Sequence, residues 1–479
     1  MLHSPSRRPA AARARWALAV AAVAGLAAVI PGATATAQPV TPIQHVVVIY
    51  QENHSFDNLL GYWCDDNPGR CPDGGMPAQV TLSNGATVTP SVDPDTVPPV
   101  DHSVTSQLAA MHIVNGVPQM NGWQKILSGG CKAPQYNCIS GYTPSQIPNI
   151  TSLAGQFAIS DMTFSMADSP SWGGHVYAVA STLDGFQGNN PKPASGVPPG
   201  PGWGCDSSLV TQWQAPGNSK IVWAPSCIPD YSLNPVQYPN GGAFEPSPAS
   251  YVPTILDRLD ASGLSWRIYG AANPADGGYI WSVCPSFAEC LDTGQHGNLV
   301  DATQFTADAA AGNLPAFSLV TAGGQGNLLL DSCHNMESMT ACDNYVGSLV
   351  GAVMNGPQWA TTAVFLTWDD CGCFYDQARP PLAPDTTQEG PRVPLIIVSP
   401  FAKPGFTDTT PATFASILAY TEQTFGLAPL GPNDADAYDF SNAFDYTQAP
   451  LGRATMVHRP LPWTARHIHL TPALLGDPS

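Results

Sequence analysis

The sequence predicts an α/β protein organised on a parallel sheet, and three observations carry that prediction. Residues 46–50 (Val-Val-Val-Ile-Tyr), 362–368 (Thr-Ala-Val-Phe-Leu-Thr-Trp) and 392–400 are runs of strand-forming residues with little polar alternation. That is the pattern of strands covered on both faces. Helical periodicity lies between them: 254–262 is amphipathic, and in 344–355 Val346, Leu349, Val350 and Val353 recur every three to four residues. Two of the strands end in polar clusters, Gln51-Glu52-Asn53-His54 and Asp369-Asp370. An open α/β sheet leaves its crevice at the carboxyl ends of its strands, so chemistry is expected there.

Residues 1–37 read as an export signal. Arg7, Arg8, Arg13 and Arg15 precede an apolar run over 16–30, and Ala35-Thr36-Ala37 offers a small-residue cleavage site. The run is shorter than the roughly 20 residues needed to cross a bilayer. Ser6-Arg7-Arg8 leaves both Sec and twin-arginine export open. A secreted protein is therefore expected, with 38–479 as a single domain. All 12 cysteines follow the signal, an even number that suits disulfides in an oxidising compartment. The expected pairs are Cys64 with Cys71, Cys131 with Cys138, Cys205 with Cys227, Cys284 with Cys290, and Cys333 with Cys342. Cys371 and Cys373 stand apart, because a bridge across one residue is strained. With 17 Lys and Arg against 36 Asp and Glu, the net charge of -19 disfavours nucleic acid, and nothing marks an obligate protein partner.

Along the chain, the first strand is followed by a Gly-, Pro- and Asp-rich excursion near 62–100, and a helix is expected over 106–115. Residues 150–159 read as a helix leading into a short strand. Ser169-Pro170-Ser171-Trp172-Gly173-Gly174-His175 then opens a helix predicted to start at about Val176. A hydroxyl at a helix N-terminus suits phosphate chemistry, although Ser is also a common N-cap. The stretch 185–253 is loop material expected to cap the site; its Trp203, Trp213, Trp223 and Tyr231 are expected to pack or to line an entrance. Strands are expected at 265–269 and 316–320, and a helix at 414–425. The last fifty residues carry no periodic signal, and His458, His467 and His469 read as surface residues.

His45 to Gly61, Asp161 to Thr182, His334 to Asp370 and Gly390 to Pro404 resemble, in order, the motifs of the bacterial phosphoesterases that include secreted phospholipases C and acid phosphatases. The resemblance implies a three-layer α/β/α alkaline-phosphatase-like core with a loop-rich, disulfide-pinned cap. It implies that Glu52, Asn53, Asp369 and Asp370 hold one or more divalent metal ions (Ca, Mg, Mn or Zn). It makes Ser171 the nucleophile, with Ser169 as the fallback, and His102 and His334 the phosphoryl-binding or proton-donating histidines, with His175 a further candidate. Asp343-Asn344 also resembles the family pattern. The implied activity is metal-dependent hydrolysis of a phosphate ester, either a monoester or a phospholipid headgroup at a membrane surface. Gly173 and Gly174 replace the family's proline and asparagine, and Gln377 replaces a histidine. These departures motivate an alternative, a catalytically degenerate protein that binds phosphorylated surface polymers. A sulfatase reading lacks the Cys-x-Pro-x-Arg signature.

Overall fold

A computed structural model describes residues 41–127, 129–323, 331–381 and 389–463. The predicted export signal lies outside the described residues, as do His467 and His469. Among the described residues the main sheet has eight strands: β1 (His45–Gln51), β2 (Ala158–Ser160), β3 (Trp266–Gly270), β4 (Leu299–Asp301), β5 (Phe317–Val320), β6 (Thr362–Trp368), β7 (Leu395–Val398) and β8 (Thr407–Asp408). Their spatial order is β4-β3-β5-β1-β6-β7-β2-β8. β1 lies at the centre and runs parallel to both neighbours, pairing Val48 with Leu319 on one side and Phe365 on the other. This is why its apolar run does not alternate: both faces are covered.

The sheet is mixed rather than wholly parallel. β7 runs antiparallel to β6 and to β2. Among the described residues no helix separates β6 from β7, and a parallel neighbour would require such a crossover. The strand predicted over 392–400 is accordingly split. Glu389–Arg392 pairs with Phe164–Met166 outside the main sheet, and β7 begins after Pro394.

The principal helices are α1 (Phe56–Asp66), α2 (Val104–Met111), α3 (Pro148–Gln156), α4 (Ser171–Ala180), α5 (Ile255–Ala261), α6 (Gln304–Ala311), α7 (Met339–Asn355) and α8 (Phe414–Phe425). α3 and α6 pack on α7, while α5 and α8 pack on α4, the two outer layers of an α/β/α arrangement. Three helix boundaries differ from the sequence reading. α4 begins at Ser171 rather than near Val176, and α7 at Met339, capped by Ser338, rather than at Asn344. α2 stops at Met111, because His112 takes a left-handed conformation and the chain turns into a hairpin. The 185–253 stretch is not all loop: Phe186–Pro193, Leu209–Gln214 and Ile221–Pro225 form a three-stranded antiparallel sheet. There Trp203 is buried and Trp213 partly so, whereas Trp223 and Tyr231 are exposed. All five expected disulfides are present, and Cys371 and Cys373 are free buried thiols.

Candidate active site

The parallel pairing of β1 with β6 sets their carboxyl ends side by side, Gln51 opposite Trp368. The next residues are joined across that pairing. Asp369 N donates to Gln51 O at 2.9 Å, and Asn53 N donates to Asp369 Oδ1 at 2.9 Å. Asn53 adopts a left-handed φ of 61°, and Cys333 and Cys373 in neighbouring loops are also left-handed, a concentration of backbone strain typical of functional sites. Gly372 makes the turn after Asp369-Asp370 at φ +55°, and a β-carbon there would lie 2.2 Å from Asn53 O. Only glycine fits that approach.

From the opposite side comes the first turn of α4. His175 Nε2 lies 2.9 Å from Glu52 Oε1. One ligand atom each from Glu52, His175 and Asp369 falls within 4.8 Å of the others, and all three residues are buried. Asp369 Oδ2 and both side-chain amide atoms of Asn53 are buried without a hydrogen-bond partner among the described residues. A buried carboxylate oxygen with no donor is costly unless a cation meets it, so the residues fit a divalent metal. Burial lowers the His175 imidazole to about 4, against the opposing pull of Asp369, which keeps it neutral as ligation requires. Tyr50 anchors this turn. Its hydroxyl donates to Gly174 O at 3.1 Å and its ring stands edge-on to His175 at 4.8 Å. Burial first, then the charges of Asp369, Glu52 and Asp370, push its phenol well above the usual range, so it remains a donor.

Ser171 opens α4, fully buried, four residues and therefore one turn before His175 on the same helix face. Among the described residues its hydroxyl has no hydrogen-bond partner, and neither has that of Ser169. Ser169 lies under the helix: a β-carbon on Gly173 would meet Ser169 Cβ at 2.3 Å. His102 and His334 come together, ring centroids 5.8 Å apart, and Asn335 Nδ2 lies 3.3 Å from His102 Nδ1. The loop that carries His334 is tied to the end of β1, since Glu52 N donates to Ser332 O at 2.9 Å and His54 Nε2 lies 3.1 Å from Cys333 O. Asp370 turns toward its own loop, with Oδ1 accepting from Gly372 N at 2.6 Å.

The sequence profile of the Phosphoesterase family matches residues 43–428. The chain belongs to the Phosphoesterase family. It is a hydrolase acting on phosphoric ester bonds. It is 24% identical over 448 residues to Non-specific phospholipase C1 of Arabidopsis thaliana, covering 85% of this chain and 72% of that protein. It is also 24% identical over 459 residues to Phospholipase C B of Mycobacterium tuberculosis, covering 86% and 79%. Among solved structures, a protein in the alkaline phosphatase superfamily from Vibrio parahaemolyticus aligns over 83% of this chain and 70% of its own, at 11% identity and a TM-score of 0.34.

Within this phosphoesterase the departures from the family pattern have packing reasons. A β-carbon on Gly174 would sit 3.2 Å from Asp369 O and 3.3 Å from the Tyr50 hydroxyl, so the close approach of α4 to β6 favours glycine. Gln377, in place of the family histidine, donates from Nε2 to Gly75 O at 3.1 Å and from its backbone N to Asp57 Oδ2 at 2.9 Å. Asp343-Asn344, expected before a helix, instead lies inside α7. Asp343 Oδ1 accepts from Asn149 N and Ile150 N at the start of α3, and Asn344 bonds the backbone of Arg459 in the tail. The sequence offers His175 only as a further phosphoryl-binding or proton-donating histidine, whereas with α4 starting at Ser171 its imidazole stands against Glu52 and near Asp369. The spacing Ser171-x-x-x-His175 was the available signal.

Proposed function

We propose that the protein is a secreted, metal-dependent phosphoesterase that works through Ser171 and favours phospholipid diesters. The observation that carries this is the first turn of α4, which sets a buried hydroxyl and a neutral imidazole on one helix face, the imidazole against Glu52 and Asp369. Glu52, Asn53, Asp369 and His175 would hold the cation, with Asp370 shaping the loop. The bound ion would supply positive charge against the phosphoryl oxygens. Ser171 Oγ gives its proton to water and attacks phosphorus in line, and the bond to the leaving oxygen breaks with its electron pair on that oxygen. His102 or His334 gives the proton or holds a nonbridging oxygen. Water then cleaves the phosphoserine and frees the hydroxyl. Preorganised charge and positioning do most of the work in such transfers.

The names of the relatives support the diester, and five disulfides suit an extracytoplasmic setting. The same reading takes 1–37 as a removed export signal and 38–479 as one domain with insertions near 62–100 and 185–253. The test is hydrolysis of 4-nitrophenyl phosphate and of phosphatidylcholine by the purified protein, with and without chelator, beside Ser171→Ala. Diester turnover lost in chelator and in the variant is expected. Turnover that survives Ser171→Ala overturns the nucleophile, turnover of the monoester alone makes the enzyme a phosphatase, and turnover of neither favours the binding protein.

A further inference from the structure

Helix α2 buries the polar Ser106 and Gln107 together with Ala110 and Met111, and exposes Thr105 and Leu108. The buried polar groups have work to do: Ser106 Oγ accepts from Leu127 N at 3.2 Å, and Gln107 Nε2 donates to His102 O at 3.0 Å. After α2, Ile113–Val114 and Val117–Pro118 form a hairpin around Asn115 and Gly116, both at positive φ, as a tight two-residue turn requires. Among the described residues the hairpin pairs with no other strand, and it is fastened to α2 by Gln119 N and Met120 N, which donate to Met111 O at 2.8 and 3.0 Å. Its side chains Ile113, Val114 and Val117 are exposed, as is Leu127, the last at 61%. A rigid, aliphatic, unpaired edge is an aggregation hazard unless it has an occupant.

Charge identifies the occupant. The chain carries 36 acidic residues, yet none falls between Asp101 and Asp161, while Lys125 and Lys132 in that stretch are exposed. Segments hydrogen-bonded to it continue the pattern. Residues 76–92, joined through Ser83 to Asn121 and Gln124, and Phe186–Pro193, joined through Asn189 to Val104, contain no carboxylate, and the second adds Lys192. Acids beside these segments include Asp101, bonded to Ser103 Oγ at the base of α2, the buried Glu389 on the strand packed beside it, and Asp168, whose carbonyl accepts from Gly188 N at 2.7 Å. A protein of net charge -19 thus carries an aliphatic protrusion in a stretch with no acid of its own and two exposed lysines.

We infer that α2 and its hairpin form a docking element for a phospholipid bilayer, entering the interfacial region with Ile113, Val114 and Val117 while Lys125 and Lys132 face lipid phosphates. The inference rests on the phosphodiesterase reading in that the element begins two residues after His102, so a docked bilayer would present headgroups to the histidine loop.

The test is cosedimentation of the full secreted protein with vesicles of phosphatidylcholine and phosphatidylglycerol, together with hydrolysis of vesicle phosphatidylcholine and of soluble 4-nitrophenylphosphocholine. The triple variant Ile113→Ser, Val114→Ser, Val117→Ser is expected to lose vesicle binding by about tenfold or more. Its vesicle hydrolysis should fall in step, with soluble turnover unchanged. Lys125→Glu with Lys132→Glu should weaken binding only to vesicles containing phosphatidylglycerol. Should the serine variant misfold, Val114→Leu with Val117→Leu provides the opposite sign, tighter binding. Unchanged vesicle binding in the serine variant, or an oligomer in solution that the serine variant dissolves, overturns the inference. Hairpin-dependent vesicle binding without turnover of either substrate leaves the docking element standing and overturns the enzymatic reading instead.

Discussion

Gly372 and His175 show how single positions set the site. In Gly372→Ala the new β-carbon would lie 2.2 Å from Asn53 O at a φ of +55°, whereas Gly263→Ala, at φ +66°, meets open space. The second should cost only the left-handed penalty, about 1–2 kcal/mol. The first should cost more in thermal stability and also lower turnover at least about tenfold by displacing Asn53, a difference read from paired melting and rate measurements. For His175→Ala, metal titration followed by a bound-metal assay should show affinity weakened on the order of a hundredfold, since even outer groups around a metal cost tenfold or more. Partial recovery of activity at raised metal concentration is expected. Unchanged affinity would remove His175 from the ligand set.

At the scale of elements, one side chain fastens the two loops that carry the candidate metal ligands. Arg392 is fully buried, donating from Nη2 to Asp57 Oδ1 at 2.8 Å and from Nε to Asp376 Oδ1 at 3.1 Å, and its Cζ lies 4.2 Å over the Phe56 ring. Asp57 follows Glu52-Asn53 on α1, and Asp376 follows Asp369-Asp370. Burial and then the neighbouring Asp376 push the Asp57 carboxyl up, and Arg392 opposes both. Removing the cation would leave two buried carboxylates facing each other. Arg392→Met should therefore destabilise the protein by about 3–5 kcal/mol in denaturant unfolding. Arg392→Lys should recover little, because a point charge does not reproduce the fork. A loss under 1 kcal/mol would mean the pair is not what joins the loops.

For the whole molecule, stability should respond to pH through buried acids away from the candidate metal site. Burial raises Asp93 to about 7, although hydrogen bonds from Ser140 and Asn58 oppose it. The folded state then keeps a proton that the unfolded chain releases near 4. Its contribution is fully present below about pH 4 and is lost as pH rises through about 7, on the order of 4 kcal/mol over the window. Asp93→Asn cannot ionise, so its melting temperature should vary less between pH 4 and 8 and exceed that of the parent at pH 8. An unaltered pH profile would show that Asp93 titrates normally.

Much of this protein is legible in the sequence alone. Strands β1 and β6 declare themselves because a run covered on both faces cannot alternate, and α8 appears within its predicted bounds because its apolar period is uninterrupted. The five disulfides pair near neighbours, where chain connectivity already holds the partners close. Glu52 and Asp369 are placed because each directly follows a buried strand. What the sequence leaves open is decided by long-range packing. The reversal of β7 depends on how the chain returns after β6. The early start of α4, through a glycine pair that local propensity disfavours, depends on Tyr50 and Asp369 filling the space beside it. His175 joins Glu52 only once that helix is in place, because the two are 123 residues apart and only tertiary contact brings such groups to 2.9 Å.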